Sequence, residues 1–365
     1  MAENATGVLK LNRDKSGVLR DPARSLHARP TDVRVPQQLV RKYHLVDGAA
    51  ATGPVRGGKR GRELADVESV CGLDPADFGA RTTYRDLVAV DPSDRFRLDA
   101  TGNESLRVVD LVAPIGRGTR SLIVSPPKAG KTILLEQMAT AIRADDPDTR
   151  IIVLLVDERP EEVTHFRRAV DAEVLASSND ETVAEHVGMT ELVMAHIRVE
   201  LECGRNVVVL VDSLTRMGRA FNLRGRGSGR TMSGGVEAGA LEVPRRFFGM
   251  ARNVEDGGSV TIVATCLVDT GSRMDQVIFE EFKGTGNSEL VLDRELAESR
   301  IWPAVNLNAS GTRKEGLLYG PEDTRRIGNI RRMLADMKPA DAMKKILDLL
   351  AKYPTNAEFL AAIPA

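Results

Sequence analysis

Residues 125–132 read Ser-Pro-Pro-Lys-Ala-Gly-Lys-Thr. They fit the phosphate-binding pattern G-x-x-x-x-G-K-[ST] at every fixed position but the first, where Ser125 replaces glycine. The apolar run Leu122-Ile123-Val124 precedes the loop, and Ile133 to Ala139 follow it with helical spacing. Strand, loop and helix is the context such a loop needs, because successive backbone N–H groups then converge on a phosphate beside the positive end of a helix. Pro127, Lys128, Ala129, Gly130, Lys131, Thr132 and Ile133 are therefore expected to cradle ATP, with Lys131 on the terminal phosphates and Thr132 on Mg²⁺. Lys131→Ala is expected to abolish turnover and spare the fold, since the lysine is read as working on an exposed loop.

Hydrolysis also needs acids at the ends of neighbouring strands. Val207-Val208-Val209-Leu210-Val211 runs into Asp212, the candidate metal-shell carboxylate, whose alternative is a helix cap. Leu154-Leu155-Val156 runs into Asp157-Glu158-Arg159-Pro160, where Glu158 is the candidate that orients the attacking water. Its alternative is a solvated acid at the start of a helix that Asp157 caps. Arg313 and Arg300 stand out as cations that could meet a transferring phosphoryl group, although isolated arginines are more often surface residues. Trp302, the one tryptophan, reads as core or as a flat surface for an adenine ring. Segments 224–235 and 269–273 are rich in glycine, arginine and serine, suiting close backbone approach and phosphate contact; the alternative is a solvated loop.

These groups need a scaffold, and the rest of the sequence supplies one. Val/Ile-rich runs at 121–125, 151–156, 206–212 and 259–268 read as strands buried on two faces. They alternate with helical segments at 132–143, 160–172, 181–202 and 235–253. The expected fold class is α/β, a RecA-like P-loop domain with a parallel sheet over 83–365, ending in helices over 320–361. Residues 1–72 carry short strands (8–11, 32–35 and 64–67) broken by Gly, Asp, Arg and Pro, which is the texture of a small OB-like β-barrel. The Ala-, Gly- and Arg-rich stretch 48–62 reads as an exposed loop and 73–82 as a linker. A net charge of −1 excludes a wholly basic nucleic-acid binder, so any polyanion site must be local. Cys71, Cys203 and Cys266 are far apart in sequence and show no disulfide framework or metal spacing. No stretch is apolar enough for a membrane span and the polar N-terminus is unlike a signal peptide, which points to the cytoplasm.

With these residues in view, the sequence from Tyr84 to Leu349 resembles the Rho family of transcription termination factors. The likeness lies in PPKAGKT (126–132), DERPEEVT (157–164), DSLTR (212–216), PRRFFGMARNVE (244–255), DTGSRMD (269–275), EEFKGTGN (280–287) and SGTRKE (310–315). It implies an RNA-dependent ATPase, a homo-hexameric ring that pulls single-stranded RNA through its centre and acts on the RNA polymerase elongation complex. It further implies that Lys128 joins the phosphate contacts, that Glu158 is the catalytic carboxylate, and that Asp212 holds the metal. Arg313 would be an arginine finger assisted by Arg300, both acting on a neighbour's nucleotide, with Trp302 stacking on adenine. Two pore loops would carry Arg230, Thr231 and Ser233 in one and Gly271, Ser272 and Arg273 in the other. Arg230 and Arg273 stand where the family usually has lysine.

In the barrel the likeness weakens. The family's initial helical subdomain has no counterpart here, Ser16 and Val18 replace two base-stacking phenylalanines, and Arg34 replaces a tyrosine. Arg20 and Arg34 leave a basic surface for phosphate contact. A paralogue acting mainly as a binding or regulatory ring component is the alternative. A rotary-ATPase or recombinase-like subunit would share the fold but leave the two glycine-rich loops unexplained.

Overall fold

The computed structural model describes residues 3–58, 61–225 and 233–364. The first unit is a barrel. Strands β1 (Asn4–Leu11), β2 (Gly17–Arg20), β3 (Val33–Val35), β4 (Ala50–Gly58), β5 (Gly61–Leu64) and β6 (Ser69–Val70) pair in the order β1-β2-β3-β5-β4-β6, with a further β1–β4 pairing that closes the ring. Leu9, Leu19, Val33, Val35, Leu64 and Val70 fill its interior. A short helix α1 (Gln37–Lys42) bridges β3 and β4.

The reading of 48–62 as an exposed loop is corrected: it holds β4 and the first half of β5, which pair antiparallel. Its small residues serve closure. Ala51 is fully buried, and a Cβ on Gly53 would stand 2.1 Å from the Asp66 carbonyl oxygen, so the strand passes where a side chain has no room. The strand expected over 64–67 ends at Leu64. In the 73–82 segment, helix α2 (Pro75–Ala80) is capped by Asp74 and buries Phe78 in the barrel core.

The second unit is an α/β layer structure. Its elements run β7 (Ala89–Val90), α3 (Glu104–Val112), β8 (Arg120–Ser125), α4 (Lys131–Asp145), β9 (Arg150–Glu158), α5 (Pro160–Ala169), β10 (Glu173–Ser178), α6 (Val183–Glu202), β11 (Asn206–Asp212) and α7 (Leu214–Gly225). They continue with α8 (Glu242–Phe248), β12 (Arg252–Val254), β13 (Ser259–Leu267), α9 (Arg273–Lys283), β14 (Ser288–Val291), α10 (Arg294–Glu298), β15 (Gly311–Thr312), α11 (Gly316–Leu334), α12 (Pro339–Leu350) and α13 (Asn356–Ala361). Strands β10-β9-β11-β13-β8-β14 lie side by side and parallel, so their C-terminal ends share one edge. β15 adds antiparallel to β14.

Helices cover both faces, which is why β9, β11 and β13 are apolar without alternation. The helix expected over 235–253 is only α8: Gly235 and Gly239 take positive φ before it, and Gly249 caps it ahead of β12. The barrel docks on α5, β10 and α6. Ser25 Oγ accepts from the Ala176 amide at 3.0 Å and from Arg167, and the His196 ring meets the Gly48 carbonyl at 2.7 Å. Among the described residues no helix is long and apolar enough to cross a membrane.

Candidate active site

The loop between β8 and α4 turns through two left-handed residues, Lys128 and Gly130, with φ of 65° and 86°. Gly130 is the N-cap of α4, so the amides of the first helical turn open toward the loop. Ser125, which replaces the expected glycine, is fully buried and turns its hydroxyl onto the Pro126 carbonyl at 2.9 Å. Pro127 and Lys128 are exposed, Ala129 is buried and Ile133 is exposed. Thr132, the second residue of α4, is partly accessible at the same mouth.

Lys131 does not stand free. Its side chain is 19% exposed; the ammonium contacts Asp212 Oδ2 and lies 3.9 Å from Glu158 Oε1. Lys131→Ala is therefore expected to cost some stability, because it leaves the fully buried Asp212 carboxylate without its cation, with the fold still expected to form. Asp212, at the end of β11, also accepts from Thr265 Oγ1 of the adjacent β13 at 2.8 Å. This carboxylate is locked by cross-sheet contacts and not used as a cap.

Glu158 ends β9, one strand over, and is 2% exposed. Burial, with the Asp212 charge beside it, pushes its carboxyl up to about 7, against the opposing pull of Lys131 and Arg216. Arg216, one turn into α7, binds Glu158 Oε1 at 3.1 Å and reaches Asp157 at 3.6 Å. The N-cap of α5 is Arg159, without a side-chain bond, so Asp157 does not cap that helix.

Trp302 completes the mouth. It is 42% exposed, and its ring lies so close to Gly130 that a Cβ there would be 2.7 Å from Cζ3. Ala129, Ile133, Gln137, Leu292 and Trp302 border an apolar cavity of about 200 Å³ beside the loop. A flat ring on one wall and aliphatic groups on the other suit a purine base. Arg300, exposed and two residues before Trp302, stands on this same side.

Arg313 is elsewhere. It follows β15, and its amide donates to Asn287 just before β14. The ladder aligns Thr312 with Ser288 and Ser288 with Ser121, at the N-terminal end of β8. Arg313 thus lies at the opposite edge of the sheet from its own phosphate loop. It is exposed in a groove of about 690 Å³, and its guanidinium has no hydrogen bond or ion pair among the described residues.

The second glycine-rich segment lies on the loop edge, after β13. Gly271 has φ of 77°, Ser272 caps α9 and Arg273 is exposed. Of the first segment, Arg230 and Thr231 lie outside the described residues, and Ser233 opens a short helical turn whose Gly234 packs on the Arg273 carbonyl. The two segments are therefore neighbours. In the barrel, Arg20 is ion-paired with Asp32, whereas Arg34 lies cross-strand from Val18 on the partly exposed face. Ser16 is buried in the β1–β2 turn, with its hydroxyl donating to Asp14 at 2.6 Å.

Sequence reasoning missed Arg216 and Thr265 as site residues. Arg216 sits four residues after Asp212, one helical turn, which is a readable signal. Thr265 has none, because its role depends on the pairing of β13 with β11.

Among the described residues no group of three or more His, Cys, Asp or Glu side chains could cage a metal alone. The donor set of Asp212 and Thr132 beside a phosphate site fits Mg²⁺, which is commonly held by one or two protein oxygens together with phosphate and water.

A glycine-bent loop at a helix N-terminus, a lysine among strand-end carboxylates and an aromatic base wall define a P-loop nucleotide-binding domain. Residues 105–312 match the family of ATP synthase alpha/beta nucleotide-binding domains, and residues 5–76 match the RNA-binding domain of the Rho termination factor. The chain is 48% identical over 341 residues to transcription termination factor Rho of Streptomyces lividans, covering 92% of this chain and 48% of that protein. It is 44% identical over 360 residues to the Rho factor of Chromobacterium violaceum, covering 97% and 86%. The chain belongs to the Rho family of transcription termination factors. It spans about half the length of the Streptomyces relative. An ATPase from the type III secretion system of pathogenic bacteria shares the fold, with a TM-score of 0.63 at 20% identity over 86% of this chain and 90% of that one.

Proposed function

We propose that this chain is an RNA-dependent ATPase whose copies form a hexameric ring, draw single-stranded RNA through its centre and so terminate transcription in the cytoplasm. One observation carries the reading: Lys131 bridges two buried carboxylates at the phosphate loop, while the guanidinium of Arg313, without a partner among the described residues, waits at the far edge of the same sheet. An active site split between two edges is complete only when copies stack head to tail, and such contacts close into rings.

ATP would seat its base between Trp302 and Ile133 and its phosphates on the amides of α4. The phosphates compete with Asp212 for the Lys131 ammonium. Asp212 and Thr132 would hold Mg²⁺, which when bound neutralises charge on the phosphate oxygens. Glu158, oriented by Arg216, accepts a hydrogen bond from water and aligns it for attack. Arg313 of one copy would reach the phosphates held by the next.

The link to RNA runs through α7. This helix begins two residues after Asp212, carries Arg216 to Glu158, and one turn further places Arg219 in a two-point ion pair with buried Asp275. Asp275 also accepts from Thr270 at 2.6 Å, within the 269–273 segment. A change at the phosphates therefore has a continuous polar path to Arg273, which we assign with Gly271 and Ser272 to RNA contact. The relatives' name, transcription termination factor, supports the biological output, including action on the RNA polymerase elongation complex.

The test is the rate of ATP hydrolysis by the purified chain across homopolymer RNAs and DNAs, with oligomeric state measured in parallel. RNA-stimulated turnover by rings is expected. Folded rings that hydrolyse no ATP with any RNA would overturn the proposal.

A further inference from the structure

Cys71 and Cys203 are distant in sequence, yet the fold places them together where the barrel meets the motor. Cys71 follows β6 and belongs to the barrel core; Cys203 caps the C-terminal end of α6 and packs, half-buried, against that same core. Their approach is fixed from both sides. The Cys71 amide donates to the Ala50 carbonyl at 2.6 Å, and its own carbonyl accepts from Arg205 Nη2 at 3.2 Å. Arg205 lies two residues past Cys203, so the turn that carries one thiol also grips the backbone beside the other. Val199, one helical turn before Cys203, is itself buried in the barrel core. The two thiols are near enough for each to act on the other's protonation.

We propose that Cys71 and Cys203 are an oxidisable dithiol, and that hydrogen peroxide converts them to a disulfide that ties the barrel covalently to the motor. The two thiols divide the work. Cys203 is the more accessible, and the hydrogen bond from Cys71, helped by the Arg81 charge, draws its thiol below the usual cysteine range. Its thiolate attacks one peroxide oxygen; the O–O bond breaks, hydroxide leaves and takes up a proton as water, and Cys203 becomes a sulfenic acid. The Cys71 thiol is held well above its usual range and reacts second. Its sulfur attacks the Cys203 sulfur, the S–O bond breaks, and the departing oxygen carries off the Cys71 proton as a second water. Two thiols have lost two electrons, and the peroxide has been reduced to water. Cys266 is buried with its thiol pushed up to about 12, so it is an internal control.

The position gives the bond a consequence. From Cys203 the chain passes through Gly204 and Arg205 into β11 and hence to Asp212. A disulfide there fixes the barrel to the segment that enters the active-site strand, and a thiol-specific reductant frees it.

The test treats the purified full chain with hydrogen peroxide, blocks remaining thiols and digests it without reductant for peptide mass spectrometry. The expected product joins the Cys71 and Cys203 peptides within one chain, lighter by two hydrogens and separated by dithiothreitol. Free thiols in denaturant fall from three to one, Cys266 remaining. The oxidised chain melts at a higher temperature than the reduced one. Cys71→Ser abolishes the link and lets Cys203 run on to the sulfinic acid; should that buried substitution fail to fold, Cys203→Ser serves instead and leaves Cys71 unoxidised. The proposal is overturned if wild-type Cys203 accumulates as sulfinic acid without the linked peptide, if all three thiols survive, or if the link forms only between chains.

Discussion

Arg313 supplies the sharpest test of the split site. Along β8, four residues separate Ser121, level with Thr312 through β14, from Ser125 at the phosphate loop. At roughly 3.3 Å per residue the strand alone spans ~13 Å, and the loop extends further before Lys131. A finger must come within about 3 Å of the charge it stabilises. Arg313 therefore cannot serve its own nucleotide but can serve that of a stacked copy. Arg313→Ala should lower RNA-stimulated kcat by roughly 10³–10⁵, and Lys131→Ala should be at least as damaging. Mixed in equal amounts into common rings, the two variants rescue each other: about one interface in four pairs an intact Lys131 with an intact Arg313, so turnover should rise toward a quarter of wild type. The assay is steady-state ATP hydrolysis on refolded mixtures, with differently tagged subunits proving co-assembly. If mixed rings form and turnover stays at the level of either variant alone, the trans arrangement is wrong.

Further outcomes follow from the same geometry. Glu158 must be ionised to receive a proton from water, and its carboxyl is pushed up to about 7, so kcat should fall about tenfold per pH unit below that value and level off above it. The stability sign is the reverse: the fold favours the protonated form, so ionisation costs stability as pH rises from the ordinary glutamate range through about 7. Glu158→Gln should therefore abolish turnover at all pH and raise the melting temperature more at pH ~8 than at pH ~5. Arg219→Ala should keep RNA-free hydrolysis within a few-fold while cutting RNA stimulation by roughly 5–150-fold, the size of a typical coupling energy; unchanged stimulation removes α7 from the path. Val18→Phe restores an aromatic on the barrel's outward strand face beside Arg34, and should tighten pyrimidine oligonucleotides by about 5–150-fold in filter binding, from ~1–3 kcal/mol of stacking. Flat affinity would show that this face does not meet bases.

What the sequence disclosed and what it hid divide along a physical line. The phosphate loop, the strand-end acids and the parallel sheet are written in contiguous residues, because a glycine-bent turn, an apolar strand and a helix start are each local. The hairpin of β4 and β5 was hidden because its glycines and alanines mark close packing and not flexibility, a distinction that needs Gly53 seen against Asp66. The burial of Ser16 was equally hidden, since its hydroxyl turns onto Asp14 within the β1–β2 turn. Thr265 with Asp212, and Cys71 with Cys203, are juxtapositions made by strand order and domain docking, so no window of sequence contains them.

The placement of Arg216 and Arg219 on successive turns of one helix bears on how chemistry becomes motion. Arg216 holds the buried Glu158 carboxyl, proposed to align water; Arg219 holds the buried Asp275 that accepts from Thr270 of the 269–273 segment. The first contact is sensitive to charge at the phosphates, because Glu158 is already poised between protonation states by burial and by Asp212. When Lys131 leaves Asp212 for a triphosphate, the acid pair loses its shared cation and leans more strongly on Arg216. Any resulting shift of α7 must be borne by Arg219, since Asp275 is fixed at the first turn of α9 by Ser272 and Thr270. The first half of the helix is thus held by two ion pairs to buried acids, and such pairs resist being broken singly. Two such contacts on successive turns tie this part of α7 to both acids at once, which is the property the proposed nucleotide-driven grip on RNA would use.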